Sequence, residues 1–185
     1  ENRIVIPYSK ISKHLVDALV ATEDSRFYDH SGIDFFALGR AIIKRGLFGQ
    51  ASAGGGSTIT QQLAKQLYSE QAHNSLERVF QKPIEWVIAV KLERNYTKEE
   101  IIALYLNYFD FLHNAVGIKT AANTYFNKEA KNLNVVESAM LIGLCKNPSL
   151  FNPVRYPERA KERRNVVLGQ MEKAGYLTHS EYEEY

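Results

Sequence analysis

Reciprocal helix-start signals recur along this chain and constrain its fold more than any other feature. In this pattern a serine, threonine or asparagine stands three residues before a glutamate or glutamine, so that each side chain can bond the other residue's backbone N–H. Such pairs begin at Thr58, Thr97, Asn134 and Thr178. The run IVIP, residues 4 to 7, is the only short strand-like stretch near the start, and strands do not alternate with helices. The pattern predicts a mainly α protein.

Length and composition fit an ordinary globular domain. The chain has 185 residues, of which 45% are apolar and 24% charged, enough to bury a substantial core. A net charge of +2 without blocks of like charge argues against a nucleic-acid partner. The single Cys145 excludes an intrachain disulfide, and its apolar surroundings predict a core position. Because the chain begins and ends abruptly, we expect a fragment of a longer protein.

A stretch with helical spacing ends on two adjacent carboxylates, and its spaced residues are His14, Leu15, Ala18, Leu19 and Thr22. Ser12 is a suitable N-cap, which places Glu23 and Asp24 near the helix C-terminus. The helix dipole disfavours negative charge there, and a carboxylate that is also partly buried holds a proton more readily than in water. This position therefore favours acid–base chemistry.

Phe27 and His30 follow Glu23 by four and seven residues, so all three share a face if the helix continues. His30 has no second ligand at the spacing of a metal site. We therefore expect His30 to hydrogen-bond with Asp24 or with a backbone group.

A glycine-preceded helix is predicted in GGGSTITQQLAKQLY, residues 54 to 68. Thr58, Gln62 and Lys65 fall on one face of that helix. A helix N-terminus with a lysine two turns along is a plausible anion site. The alternative is a flexible linker followed by an ordinary amphipathic helix.

Glu85 lies among apolar residues in a segment that reads as buried. Lys82 and Arg78 stand three and seven residues before it, which predicts a buried ion pair on a continuous helix. Pro83 leaves the continuity of that helix open.

The segment 35 to 49, FFALGRAIIKRGLFG, mixes large apolar side chains with Arg40 and Lys44 on one face. It suits either a helix that lies in a lipid interface or a core helix with a solvated basic face.

These segments together resemble one family, the peptidoglycan glycosyltransferase domain of class A penicillin-binding proteins and their monofunctional relatives. Five motifs occur in the family's order: ATEDSRFYDHSGID, GGGSTITQQLAKQLY, QKPIE, IIALYLN with VGIKTAANTYF, and ESAMLIGLCKNPSLFNP. Departures from the family pattern are Gln81 before Lys82, Gln66 after Lys65, and Leu112, His113 and Asn114 where the family tends to carry glycines.

The resemblance implies a lysozyme-like α fold in a single domain, residues 1 to 185, with a larger globular lobe and a small membrane-facing jaw lobe roughly within 35 to 56. It implies polymerisation of lipid II into β-1,4-linked glycan strands with inversion and release of undecaprenyl diphosphate. With this family in view, the interfacial interpretation of residues 35 to 49 is favoured over the core interpretation.

The resemblance also implies roles for individual residues. Glu23 would be the general base, and Glu85 a second catalytic carboxylate on the donor side. Asp24, Phe27 and His30 would support the base. The substrate and its diphosphate would be held by Ser57, Thr58, Gln62, Lys65, Lys82 and Arg78. A divalent cation, Mg²⁺ or Mn²⁺, is implied near the diphosphate with ligands that the sequence does not specify, and no organic cofactor is expected.

The implied partners are lipid II, the nascent glycan strand and the bacterial membrane surface, with a C-terminal transpeptidase domain in the full-length protein. The implied location is the extracytoplasmic, periplasmic face of the cytoplasmic membrane. Two alternatives remain: a lysozyme-like enzyme that cleaves glycan, and an inactive scaffold that binds lipid II.

Overall fold

The computed structural model describes residues 4–48, 56–68 and 75–185. This part of the chain is mainly α, as predicted, and its β-structure is one isolated bridge between Asp110 and Val116. The α-helices in these ranges are α1 Lys13–Glu23, α2 Phe35–Phe48, α3 Ile59–Tyr68, α4 Ser75–Asn95, α5 Lys98–Tyr108, α6 Ile118–Phe126, α7 Val135–Lys146, α8 Pro157–Lys173 and α9 His179–Glu184.

The chain divides into two compact units. The first comprises Glu1–Ser25 and Ile102–Tyr185, and the second comprises Arg26–Ile101. The segment expected to form a jaw, 35 to 56, belongs to the second unit, although residues 49–55 lie outside the described residues. The assignment of a jaw therefore stays a prediction.

Helix α7 provides the centre of the first unit, where it packs against α1 and α8. An apolar stripe on one side is typical of a surface helix, whereas a helix that is apolar all round has to be buried. Most of α7 is buried accordingly: Val135, Ser138, Ala139, Leu141, Ile142, Gly143, Leu144 and Cys145. Cys145 is in the core, as predicted.

The predicted helix starts are confirmed. Asn134 Oδ1 accepts a hydrogen bond from the N–H of Glu137 at 2.9 Å, and the Glu137 carboxylate accepts one from the N–H of Asn134 at 3.0 Å. Thr178 with Glu181 and Thr97 with Glu100 form the same reciprocal pairs. These bonds satisfy N–H groups that the first turn of a helix leaves without an intrahelical partner.

The strand expected near the start is absent from residues 4 to 7. The side-chain amide of Asn107 takes the place of a partner strand: its Oδ1 accepts from the N–H of Ile6 at 3.1 Å, and its Nδ2 donates to the Ile6 carbonyl at 2.8 Å. A short apolar run has no fixed secondary structure of its own, so its contacts with the rest of the fold determine its conformation.

In the second unit α3 packs against α4. Ile59, Leu63 and Ala64 of α3 are buried, together with Ala89 and Leu92 of α4. Helix α4 runs without interruption through Pro83. The continuous helix that the ion-pair prediction required is therefore present.

Helix α2 exposes several large apolar side chains among its described residues. Phe35 is 72% exposed and Phe36 76%, and Ile42 and Ile43 are more than half exposed. The interpretation of this segment as a core helix is therefore wrong for these residues. In the described ranges we find no helix whose length and apolar character would carry it across a bilayer.

Three consecutive residues that are not glycine adopt the left-handed backbone conformation. The φ angles are 65° at Leu112, 51° at His113 and 60° at Asn114. A side chain at a left-handed position is strained by about 1–2 kcal/mol, with asparagine tolerated best. Leu112 is therefore the most strained of the three, and Asp110 Oδ1 supports the turn by accepting from the Leu112 N–H at 2.8 Å.

We expect Leu112→Gly to be more stable than Leu112→Ala by about 0.5–1 kcal/mol, because only alanine keeps the Cβ that is strained there. Both variants lose the leucine side chain, so their difference isolates the backbone term. Urea unfolding of the two variants measures it. An alanine variant as stable as the glycine variant would contradict the strain.

Candidate functional site

Glu23 is the last residue of α1, as the sequence predicted, and Asp24 leaves the helix with φ −159° and ψ 74°. The Glu23 side chain is 13% exposed, and its Oε1 lies 3.8 Å from Nη2 of Arg163. Asp24 is buried. The N-cap position of Ser12 is confirmed, but its hydroxyl donates to the Leu133 carbonyl instead of capping α1.

Arg163 is the side chain near Glu23 that sequence reasoning missed. It projects from α8 over Gly143 of α7, where an added Cβ would lie 3.2 Å from the Arg163 Cγ. The Phe151 ring centroid is 5.8 Å from the guanidinium carbon. The sequence signal is the pair of arginines in AKERRNVVL, but nothing in that stretch relates it to the end of α1.

The Glu23 charge also affects the pKa of two buried groups in the first unit. Burial raises the pKa of the Cys145 thiol well above its usual value, and the Glu23 carboxylate adds to this effect. Burial likewise raises the pKa of the Tyr105 hydroxyl, with smaller contributions from Cys145 and Glu23. Cys145 therefore stays a neutral thiol and is not a nucleophile.

The turn after Glu23 does not continue the helix. Phe27–Asp29 forms a short 3₁₀ turn. A continuing helix was the condition for Glu23, Phe27 and His30 to share one face, and this condition is not met. The Phe27 ring is fully buried and meets the His30 ring edge-on, with the ring centroids 6.1 Å apart. His30 Nδ1 accepts from the Gly32 N–H at 3.1 Å, which confirms a backbone partner for this imidazole.

Thr58 connects this turn to α3. Its hydroxyl donates to the Gly32 carbonyl at 2.7 Å and accepts from the N–H of Gln61 at 3.1 Å. The Gln61 side chain accepts from the Thr58 N–H at 3.0 Å, so the reciprocal cap predicted here is confirmed. Thr58 is buried, whereas Lys65 is exposed further along the same helix and Gln62 is partly exposed.

The predicted ion pair of Glu85 is formed with Lys82. The Lys82 Nζ lies 3.3 Å from Glu85 Oε2 and donates to Ser57 Oγ at 3.0 Å. The Glu85 side chain is only 1% exposed, whereas that of Lys82 is 35% exposed. The backbone of Arg78 belongs to α4, and its side chain lies outside the described part of the structure.

The predicted site residues thus fall into groups that each belong to one unit. In the second unit the structure brings together Ser57, Lys82 and Glu85, and it joins the Phe27–Gly32 turn to Thr58. Glu23 and Asp24 belong to the first unit. The substrate roles of all these residues stay predictions.

In the described part of the chain we looked for a group of side chains that could hold the expected divalent cation by themselves. Within residues 4–48, 56–68 and 75–185, no three side chains of His, Cys, Asp or Glu form a group that could hold a metal ion. The divalent cation therefore stays a prediction, and we derive no step through a metal.

The chemistry of these groups defines a class of protein. A shielded carboxylate beside a guanidinium is a candidate for proton transfer. A lysine that is 35% exposed and is held between a hydroxyl and a buried glutamate can bind an anionic ligand. The two units thus carry groups suited to acid–base chemistry and to the binding of an anion.

Comparison with known proteins identifies the family. Residues 1–172 match the family described as Transglycosylase, and the chain belongs to it. It is 42% identical over 181 residues to penicillin-binding protein 1F of Bacillus subtilis (strain 168), covering 98% of this chain and 25% of that protein. It is 42% identical over 185 residues to penicillin-binding protein 1A of Aquifex aeolicus (strain VF5), covering 100% of this chain and 25% of that protein.

Penicillin-binding protein 1A of Escherichia coli (strain K12) is 40% identical over 185 residues, covering 100% of this chain and 21% of that protein. The chain thus spans about a quarter of the length of the curated relatives it matches. The family recognised from the five motifs is confirmed, and so is the expected class of enzyme, a transglycosylase.

We expect Gly32→Ala to lower the free energy of unfolding by about 2–4 kcal/mol, through left-handed strain and overpacking. The φ of Gly32 is +98°, and an added Cβ would lie 2.9 Å from the backbone carbon and oxygen of Ala89. Chemical denaturation measures the loss.

The matched control is Gly39→Ala in α2, because no atom of the described residues beyond the local helix backbone lies within 4 Å of the added Cβ. Alanine in a helix is more favourable than glycine by about 0.5–1 kcal/mol, so this variant should be slightly stabilised. Equal effects at the two positions would show that the close approach at Gly32 is unimportant.

Proposed function

We propose that this chain is a peptidoglycan glycosyltransferase that polymerises lipid II into β-1,4-linked glycan strands and releases undecaprenyl diphosphate. The observation that carries the proposal is the shielded carboxylate of Glu23 at the end of α1, in a chain that matches the transglycosylase family over residues 1–172. Arg163 supports it, because its guanidinium lies 3.8 Å from the Glu23 carboxylate within the same unit.

The reaction is a single displacement with inversion. The 4-hydroxyl oxygen of the acceptor sugar forms a bond to the anomeric carbon of the donor, the bond from that carbon to the diphosphate oxygen breaks, and Glu23 takes the hydroxyl proton. The leaving group departs with the bonding electrons as a diphosphate. Because a neutralised diphosphate leaves readily, the reaction needs cations more than a protein acid.

The second unit supplies those cations in the proposed reaction. Lys65 is exposed on α3, and Lys82 is oriented by Ser57 and Glu85. Glu85 would fix the Lys82 ammonium towards the donor diphosphate, with Gln62 and Arg78 as further ligands of the substrate. Thr58 would act chiefly through α3 and the Gly32 turn, since its hydroxyl already bonds within the fold.

We expect Glu23→Gln to lower the polymerisation rate by about 10²–10⁴-fold, because the amide cannot accept the proton. Labelled lipid II and separation of the products on a glycan gel measure this. Circular dichroism should show an unchanged helical fold.

Glu184→Gln is the matched control, since it removes an exposed carboxylate of the first unit outside the proposed site. A wild-type polymerisation rate for Glu23→Gln would show that Glu23 is not the general base. Shortened glycan from the wild-type chain would instead indicate a cleaving enzyme, and lipid II bound without product an inactive scaffold.

The proposed substrate is anchored in a lipid bilayer, and α2 is suited to meet that surface. The exposed rings of Phe35 and Phe36 could insert among lipid headgroups. Arg26 lies 4.8 Å from the Phe36 ring centroid, where its charge could meet anionic lipid. The chain would then work at the periplasmic face of the cytoplasmic membrane, joined in the full-length protein to a transpeptidase domain.

We expect Phe35→Ser with Phe36→Ser to lower partitioning onto anionic liposomes by about tenfold or more, given the apolar area lost from two exposed rings. Vesicle cosedimentation measures it. Val154→Ser, which changes a 70% exposed apolar side chain of the first unit, is the control and should bind as the wild type does. Equal partitioning of all three proteins would refute the interfacial role.

A further inference from the structure

Lys98 occupies a position that helix stability does not explain. It is the first residue of α5, where the helix dipole favours acidic side chains, and Glu99 and Glu100 follow it in the same turn. Its side chain is nonetheless folded inward, with 23% of its surface exposed. A cation at this end of a helix is unfavourable for the helix itself, so its contacts elsewhere have to account for it.

Those contacts all belong to the second unit. The Lys98 Nζ donates to the His30 carbonyl at 2.7 Å and to Glu93 Oε1 at 2.8 Å. It also lies 4.3 Å from the centroid of the Phe27 ring, within the range of a cation–π interaction. One ammonium group thus contacts both ends of the Phe27–His30 segment.

Glu93 fixes Lys98 in turn. The Glu93 side chain is 6% exposed, and its Oε1 also accepts from the Thr60 hydroxyl of α3 at 2.6 Å. A carboxylate held by two donors has little freedom to move. The ammonium position is therefore set by α3 and α4 together.

The turn is also held by contacts of its own, since His30 Nδ1 accepts from the Gly32 N–H and the Phe27 ring is buried. It contains one 3₁₀ turn, and beyond it the Gly32 carbonyl bonds to Thr58. Lys98 binds the carbonyl of His30, which lies two residues before Gly32. Without that anchor the His30 peptide would lose a charged donor, and the Phe27 and His30 rings would lose their fixed mutual orientation.

We propose that Lys98 is a positioning residue, which through the His30 carbonyl and the Phe27 ring orients the turn that follows the catalytic carboxylate. This inference rests on the proposed function for its effect on rate. Lys98 does not contact substrate in this role. A misplacement of reacting groups by about 1 Å can lower a rate by about 100-fold.

The test uses Lys98→Met in the complete 185-residue chain, which keeps an unbranched stem and removes the ammonium. We expect kcat for lipid II polymerisation to fall by about 10–100-fold, with KM changed by less than about twofold because no substrate contact is lost. Lys98→Arg, which restores a cation with N–H donors, should recover most of the rate. A residue needed only for stability would alter the folded fraction, and kcat per folded molecule would not change.

Lys91→Met is the matched control, because Lys91 is an exposed lysine of α4 in the same unit. It should leave kcat and KM unchanged. If Lys98→Met does not fold, Lys98→Gln takes its place: its amide still donates to oxygen but places no charge over Phe27, so an intermediate loss of kcat is expected.

A second measurement separates this inference from the proposed activity. In protein carrying isotope-labelled histidine, with His30 assigned by His30→Gln, the His30 ring resonances should shift in Lys98→Met and not in Lys91→Met. Unmoved resonances, a wild-type kcat, or a raised KM at constant kcat would each overturn the positioning role. If the wild-type chain makes no polymer while the resonances shift, the proposed function fails and the positioning contact stands.

Discussion

The end of α1 carries the constraint on which the proposed chemistry depends. A carboxylate at a helix C-terminus meets the negative end of the dipole, and Glu23 is also largely shielded from water. Arg163 of α8 places a cation beside this carboxylate, and its stem packs closely over Gly143 of α7. The surroundings of the base are therefore produced by three helices, and the stability lost at one helix end is offset by packing elsewhere.

The second unit contains two pairs of a buried glutamate with a lysine, and the two pairs differ in what the lysine can contact. Glu85 and Glu93 are both buried carboxylates of α4, and each holds a lysine, Lys82 or Lys98. A buried carboxylate without a partner is strongly destabilising. Each lysine therefore stabilises its glutamate, and each glutamate in turn fixes the position of its lysine. Lys82 keeps a third of its side chain in solvent and can meet a ligand, whereas Lys98 turns inward and holds a loop.

Features that depend on a few neighbouring residues could be predicted from the sequence. The reciprocal caps, the end of α1 and the pair of Lys82 with Glu85 involve groups three or four residues apart, so spacing alone defines them. The contacts of Glu23 with Arg163 and of His30 with Lys98 join distant parts of the chain, which no periodicity relates. Glu23, Phe27 and His30 do not share a helical face, because Asp24 leaves helical geometry. A 3.6-residue pattern does not show where the backbone turns.

The departures from the family pattern are informative in the same way. Where the family tends to carry glycines after YLN, this chain has Leu112, His113 and Asn114 in the left-handed conformation that glycine favours. The turn is held by Asp110 and by the contact of His113 Nε2 with Asn152 Oδ1 at 3.2 Å. In this chain the turn is thus supported by side-chain hydrogen bonds and does not depend on glycine. A departure within a motif thus changes the side-chain chemistry at that position. It bears on the fold only where no neighbouring group can hold the backbone in the same conformation.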